Sequence, residues 1–271
     1  MEKQNGLEQT RRARGLVSSV VSGARVDAAR IAPPPEVQEL VETFWTGAWD
    51  LRGSPPHVTE LIGDPCVHLV YEWSDTERGN RVVGPWTTLW QRTLEGRGHV
   101  FGIKLRSGYA SAVVGSPVRR LNNTISPMTA GAPDLNDVLS QDAPLPDAIL
   151  RLTDWLVSVA AINEDHRRAA DAVRRITDAK ELTRAETLAD SLGLSLRGLQ
   201  RLFSQHVGVA PKRVIRRHRL QEAAGKLERG EALSLVDLAL DLGYADQAHL
   251  TRDFKAMTGK TPSQFRTAVW E

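Results

Sequence analysis

Leu188-Ala189-Asp190-Ser191-Leu192-Gly193-Leu194 and Leu238-Ala239-Leu240-Asp241-Leu242-Gly243-Tyr244 repeat one phrase, Leu-Ala-x-x-Leu-Gly-apolar. Each is followed by Leu-x-Arg-x-Phe, as Leu199 to Phe203 and as Leu250 to Phe254. Beyond each Phe the punctuation repeats again, with Gly208 and Pro211 after the first and Gly259 and Pro262 after the second. A helix, a glycine turn and a second helix, written twice, predict two helix-turn-helix units in one chain.

The residue types have physical reasons. Ala189 and Ala239 are small enough to let a second helix cross closely. Gly193 and Gly243 stand where the turn needs positive φ, which glycine adopts at little cost. Ser195 and Asp246 are suited to cap the helices that follow. Leu199 with Phe203, and Leu250 with Phe254, are four apart, so each pair anchors one helix face inward. The opposite faces then carry Arg197, Gln200, Arg201 and Ser204, and Gln247, Ala248, Thr251, Arg252 and Lys255.

That chemistry suits the edges of base pairs. Arginine can fork onto guanine and glutamine can pair bidentately with adenine, each worth about 1–3 kcal/mol of discrimination. Ser204, Arg213, Arg216 and Lys255 are expected at phosphates, which position without specifying. Pro211 begins a helix expected to run to about Glu228, with Val214, His218, Leu220, Ala224 and Leu227 inward. It would hold the two reading helices at a fixed separation, to be compared with the roughly 34 Å between successive major-groove segments on one DNA face. Gly198, inside the first reading helix, costs about 1 kcal/mol against Ala. It either permits close approach to DNA or is merely tolerated.

Residues 165–268 resemble the DNA-binding domain of the AraC/XylS family of bacterial transcription regulators. The resemblance rests on the doubled phrase, on Arg219-Leu220-Gln221-Glu222-Ala223-Ala224, and on Gly243-Tyr244-Ala245-Asp246-Gln247 with Phe254-Lys255 and Gly259-Lys260-Thr261-Pro262-Ser263-Gln264-Phe265-Arg266. It implies an all-α domain that binds double-stranded DNA across two adjacent major grooves, with Arg197, Gln200, Arg201, Gln247, Ala248, Thr251 and Arg252 as its base-reading positions. It also implies a preceding sensory or dimerising domain. RNA polymerase, a small-molecule effector and a second copy of the chain stand open as further partners. An activator is the expected sign of regulation.

Composition fits this frame. The chain has 271 residues, 41% of them hydrophobic and 25% charged, enough for about two domains at roughly 100–200 residues each. Net charge is +2, but from Lys180 onward 15 Lys/Arg stand against 11 Asp/Glu. The surplus of the C-terminal half suits a phosphate-facing surface, though a nonspecific architectural binder would want more charge and less Gln and Thr. The lone Cys66 suits a reducing, cytoplasmic setting, and no apolar run reaches the ~18 residues of a membrane span.

The expected fold class is α+β. Residues 1–29 read as a flexible tail, 30–130 as a β-rich, cupin-like barrel with a sensor role, 131–162 as a loop and helix that links or dimerises, and 163–271 as the DNA-binding domain. Strands are expected near His57 to Ile62, Cys66 to Trp73, Asn80 to Thr87 and His99 to Leu105, and a short helix at Gly108 to Val114. Asp147 to Ala161 reads as a helix with Ile149, Leu150, Leu152, Leu156 and Val157 as its stripe. Residues 30–130 also resemble the N-terminal domains of AraC-like proteins of unassigned ligand. His57, His68 and His99 could converge on a metal with Glu60 or Glu72, as in cupins. No His-x-His pair or tight ligand spacing supports this, so structural histidines are favoured and no cofactor is expected. Some regulators with this DNA-binding domain carry an alkyl-accepting cysteine. Cys66 lacks the zinc-binding cysteines of such a site and reads as a buried strand residue. Trp45, Trp49, Trp73, Trp86 and Trp90 could line a ligand pocket or pack as core. A cupin-type enzyme or binding protein with a DNA-binding tail is the alternative; no catalytic constellation supports it.

Overall fold

In the computed structural model the chain is described over residues 16–18, 25–61, 65–128, 131–135, 145–179, 182–231 and 234–270. The N-terminal part is built from two antiparallel sheets. One has the order β1 (Leu16–Ser18), β4 (His57–Leu61), β7 (Trp90–Leu94). The other runs β2 (Arg25–Ile31), β3 (Val41–Asp50), β8 (Arg97–Leu105), β5 (His68–Ser74), β6 (Arg78–Val83), β9 (Ile125–Pro127). Leu16–Ser18 and Arg25–Ile31 correct the expectation of a flexible tail over 1–29. Arg25–Ile31 pairs along β3 from Asp50 to Phe44, because that ten-residue strand offers an otherwise open edge. Residues 1–15 and 19–24 lie outside the described residues.

The large sheet is buried on both faces, so β5 reads as a run of buried residues rather than an alternation. Phe44, Leu69, Tyr71, Phe101 and Ile103 face helices α1 (Ala110–Val114) and α2 (Leu145–Val159) in one core. Trp49, Val70 and Val100 face the other way, with Leu94 of the small sheet. This second core is filled by tryptophan. Trp45 pairs with Gly102 and Trp49 with Gly98 across β3 and β8. Each indole lies where a side chain on its glycine partner would sit, since a Cβ on Gly102 would be 2.0 Å from Trp45 Cε2 and one on Gly98 2.4 Å from Trp49 Cζ2.

Helix α2 corrects its expected stripe. Ala148, Leu152, Trp155 and Leu156 are buried, whereas Leu150 and Val157 are 62% and 57% exposed. Trp155 fixes the rotation: its ring is the largest group on the helix, and burying it turns Leu150 and Val157 to solvent.

Seven helices follow: α3 (Glu164–Asp178), α4 (Ala185–Ser191), α5 (Leu196–His206), α6 (Pro211–Glu228), α7 (Leu235–Asp241), α8 (Gln247–Thr258) and α9 (Pro262–Trp270). They enclose two cores. The first joins α3, α4, α5 and the start of α6; the second joins the rest of α6 with α7, α8 and α9. Helix α6 is thus a wall common to both. Val214 and Ile215 serve the first core, and Leu220, Ala223, Ala224 and Leu227 the second. Ile215 and Ala223 stand in the stripe where the spacing suggested His218, which is only half-buried.

Candidate nucleic-acid interface

Each repeated phrase folds into the same hydrogen-bonded helix ending. In the first, Leu194 N–H donates to Ala189 O at 2.9 Å and Gly193 N–H to Asp190 O at 3.0 Å. In the second, Tyr244 N–H donates to Ala239 O at 2.8 Å and Gly243 N–H to Leu240 O at 2.9 Å. These nested bonds satisfy carbonyls the helix end would otherwise orphan, and they need a left-handed residue at their centre. Gly193 and Gly243 supply it with φ of 63° and 68°. Ala189 and Ala239 accept the outer bonds and are fully buried, so their small size serves the crossing helix as expected.

The next helix is capped in both units. Ser195 Oγ accepts from Gly198 N–H at 3.1 Å, and Asp246 Oδ1 from His249 N–H at 2.7 Å. The second turn is one residue longer, because Ala245 stands between Tyr244 and its cap. Leu199, Phe203, Leu250 and Phe254 are all buried to 0% exposure, so each helix has one fixed rotation. On the outer faces Arg197, Gln200 and Arg201 of α5, and Gln247, Ala248, Arg252 and Lys255 of α8, are exposed. Ser204 and Thr251 are half-buried beside them. A side chain at Gly198 would meet Ser195 Oγ at 3.3 Å.

The shared wall sets the separation of the two faces. An 18-residue helix is about 27 Å long, and its two ends carry the two cores. Helix α8 is further tied to α6 by a polar network that sequence reasoning missed. Arg219 donates to Leu242 O and stacks its guanidinium 4.2 Å over the Tyr244 ring. Tyr244 donates to Asp253 at 3.5 Å, and Arg216 reaches the same carboxylate at 3.4 Å. Burial, with Asp253 beside it, pushes the Tyr244 hydroxyl up to about 12, so it remains a donor. The one visible signal is Tyr244 itself, a hydroxyl-bearing ring where the first phrase has Leu194. Arg213 and Arg216 are exposed and line a cleft with Trp86 and Thr87 of the N-terminal part, and Arg216 shares Asp253.

The N-terminal candidates do not assemble. His68 lies on the Trp45 side of the large sheet, edge-on to its ring at 6.0 Å. His99 pairs with Trp73 across β5 and β8 and stacks on it at 5.2 Å, on the opposite face. His57 belongs to the small sheet. Glu72 is buried against Arg92 and Arg81, while the side chain of Glu60 lies outside the described residues. Cys66 is buried, with Sγ 3.2 Å from Ser107 Oγ. Trp86 borders a cleft that it shares with Val214 and Met257.

Two capped, outward-facing helices, each locked by a buried Leu/Phe pair and both mounted on one rigid wall, define a double helix-turn-helix DNA-binding protein. Residues 188–268 match a family model described as a helix-turn-helix domain, and residues 29–127 one described as a domain of unknown function (DUF6597). Residues 188–268 form a helix-turn-helix domain of the AraC type. It is 37% identical over 84 residues to an uncharacterized HTH-type transcriptional regulator of Haemophilus influenzae, covering 31% of this chain and 28% of that protein. It is 38% identical over 81 residues to the probable transcription factor PqrA of Proteus vulgaris, covering 30% and 66%. It is 36% identical over 81 residues to the transcriptional activator RhaS of Escherichia fergusonii, covering 30% and 29%. The chain therefore spans under a third of the H. influenzae and E. fergusonii relatives and 66% of the third. Among solved structures, an AraC-type regulator of Chromobacterium violaceum aligns at 25% identity over 38% of this chain and 92% of its own, with a TM-score of 0.35. ToxT of Vibrio cholerae aligns at 11% identity over 91% and 98%, with a TM-score of 0.40. The named relatives are transcription regulators, and no helix among the described residues is long and apolar enough to cross a membrane.

Proposed function

We propose that this chain is a sequence-specific activator of transcription in the cytoplasm, working by binding and not by catalysis, with its N-terminal domain (residues 30–130) receiving a signal. The carrying observation is the pair of exposed faces, Arg197/Gln200/Arg201 and Gln247/Ala248/Thr251/Arg252, held at one separation by α6. Arginine and glutamine read base edges, whereas Ser204, Arg213, Arg216 and Lys255 contact phosphates. RNA polymerase and a second copy of the chain are the partners such an activator needs.

The test is an electrophoretic shift with an operator selected from random DNA. Arg201→Ala loses about 1–3 kcal/mol of discrimination with the fold intact. Lys255→Ala weakens all sequences alike and reduces the salt slope by about one. Equal affinity of the wild type for operator and random DNA refutes the reading.

A further inference from the structure

No acidic residue occurs between Glu95 and Asp134, or between Asp190 and Glu222. The fold brings these two acid-free stretches together. The short helical turn Val118–Leu121, from the first, packs on the reading helix α5, from the second. The junction is close: a side chain on Gly208 would lie 2.9 Å from Val118 Cγ1, and Asn122 Nδ2 donates to Gly208 O at 2.7 Å. The turn is clamped from its other side as well. Leu121 O fills the place a Cβ on Gly84 would take, Gly84 N–H donates to Thr124 O at 3.0 Å, and Asn123 N–H donates to Pro85 O at 3.0 Å. Segment Val118–Leu121 is therefore fixed between the end of β6 and the DNA-binding half.

That segment carries Arg119 and Arg120. Both are exposed, and neither has a hydrogen-bond or ion-pair partner among the described residues. The same holds for Lys212 and Arg213, in the first turn of α6 just beyond Gly208. A second route shows the same proximity. Arg213 lines a cleft with Thr87, and Thr87 donates its N–H and its hydroxyl to Asn123 Oδ1, at 2.9 and 3.1 Å. Arginines of the N-terminal half thus stand beside cations of the DNA-binding half, with no carboxylate of either stretch to offset them. Clustered like charge repels itself unless an anion is bound. This cluster is continuous with Ser204 and Arg213, placed at phosphates above. The counter-charge it fits is the DNA backbone, which offers a row of phosphates rather than one anion. Because the backbone of the turn is already fixed, meeting a phosphate costs only the freedom of the side chains.

We propose that Arg119 and Arg120 contact DNA phosphates, so that the N-terminal half extends the DNA-binding surface beyond α5. The inference rests on the DNA-facing role proposed for α5 and the first turn of α6. Contacts of this kind carry no base preference; they raise affinity for every sequence and fix orientation on the duplex. They also tie the N-terminal half to the DNA itself, in addition to its grip on Gly208.

The experiment measures binding of the full chain to the selected operator and to random duplexes of equal length over a range of salt. Wild type is compared with the double variant Arg119→Gln/Arg120→Gln. Loss of two phosphate contacts should reduce the slope of log K against log salt by about 1.8 on both DNAs. The affinity deficit should then be about tenfold larger at 50 mM salt than at 200 mM. The ratio of operator to random affinity should stay the same, since phosphates do not specify. Circular dichroism and the urea midpoint should not move, because neither side chain has a partner in the folded chain. Arg52→Gln/Arg78→Gln removes equal charge from the opposite end of the large sheet and should leave the slope unaltered. Equal slopes for wild type and the Arg119/Arg120 variant overturn the inference. So does an equal fall in the Arg52/Arg78 control, which would make the effect one of net charge. Loss of transcription activation with DNA binding unchanged would assign the patch to a protein partner and also overturns it. If the wild type fails to distinguish operator from random DNA, the sequence-specific reading fails while the slope on random DNA still decides the patch.

Discussion

Gly208 and Gly259 occupy equivalent places in the two repeats, five residues after Phe203 and Phe254, yet alanine should cost very different amounts at each. Both have positive φ, 85° and 75°, so both substitutions incur left-handed strain of about 1–2 kcal/mol. Alanine also restricts the unfolded chain, which returns about 0.4–1 kcal/mol. The net cost common to both is about 1 kcal/mol by that difference. At Gly259 the added methyl meets only Leu89 Cδ2, at an ordinary 3.6 Å. At Gly208 it would lie 2.8 Å from Asn122 Oδ1, 2.9 Å from Val118 Cγ1 and 3.1 Å from the Val118 carbonyl carbon. Val118 is buried, and Asn122 Nδ2 donates to Gly208 O at 2.7 Å, so neither neighbour can swing away freely. Overpacking of this kind costs a further ~1–3 kcal/mol. Gly208→Ala should therefore destabilise the chain by about 2–4 kcal/mol and Gly259→Ala by about 1, read as urea midpoints at constant m. A Gly208→Ala loss no larger than that of Gly259→Ala would show that the segment Val118–Leu121 does not press on the DNA-binding half.

Two further outcomes are expected. The seam between the halves contains His206, whose Nδ1 lies 2.8 Å from Ser111 Oγ, and His166, whose ring is 4.6 Å from that of His206. Burial lowers the proton affinity of both, His166 further by facing His206, while Asp165 opposes this and Arg167 adds to it at His166. The unfolded chain then binds these protons at higher pH than the folded one. Stability is intact above the ordinary histidine value of about 6.5 and is lost as pH falls through it, by about 1.4 kcal/mol per pH unit for each proton taken up. Denaturation series between neutral and mildly acidic pH should show a shallower slope for His206→Gln than for the wild type; equal slopes would contradict the assignment. Separately, Asp246→Ala removes the acceptor that holds the first turn of α8, at a cost of about 1 kcal/mol. Because that turn carries Gln247 and Ala248, operator preference should fall more than overall stability, as measured by parallel gel shifts and melts.

The C-terminal half was legible in the sequence because its decisive interactions are local. The outer bond of each glycine turn spans five residues, each cap bond three, and each Leu/Phe anchor one helical turn, so residue spacing encodes them directly. The strands near His57, His68 and His99 were visible for the same reason, through short-range alternation bounded by turn residues. What the sequence could not assign was anything settled by partners distant along the chain. Trp45 and Trp49 could line a pocket or pack as core until the register of β3 sets them over Gly102 and Gly98. The stripe of α2 was turned wrongly because helical periodicity fixes spacing but not rotation, and the sheet beneath chose Trp155 over Leu150 and Val157. Arg25–Ile31 looked like tail because an edge strand is specified by the strand it pairs with. The seam joining Ser111 to His206 across 95 residues, and the sharing of Asp253 by Arg216 and Tyr244, come from packing alone. The sequence by itself determined two capped helices and their outward chemistry. Tertiary structure decided how they are mounted on α6 and what the N-terminal half presses against them, because those contacts depend on three-dimensional register that no short-range pattern records.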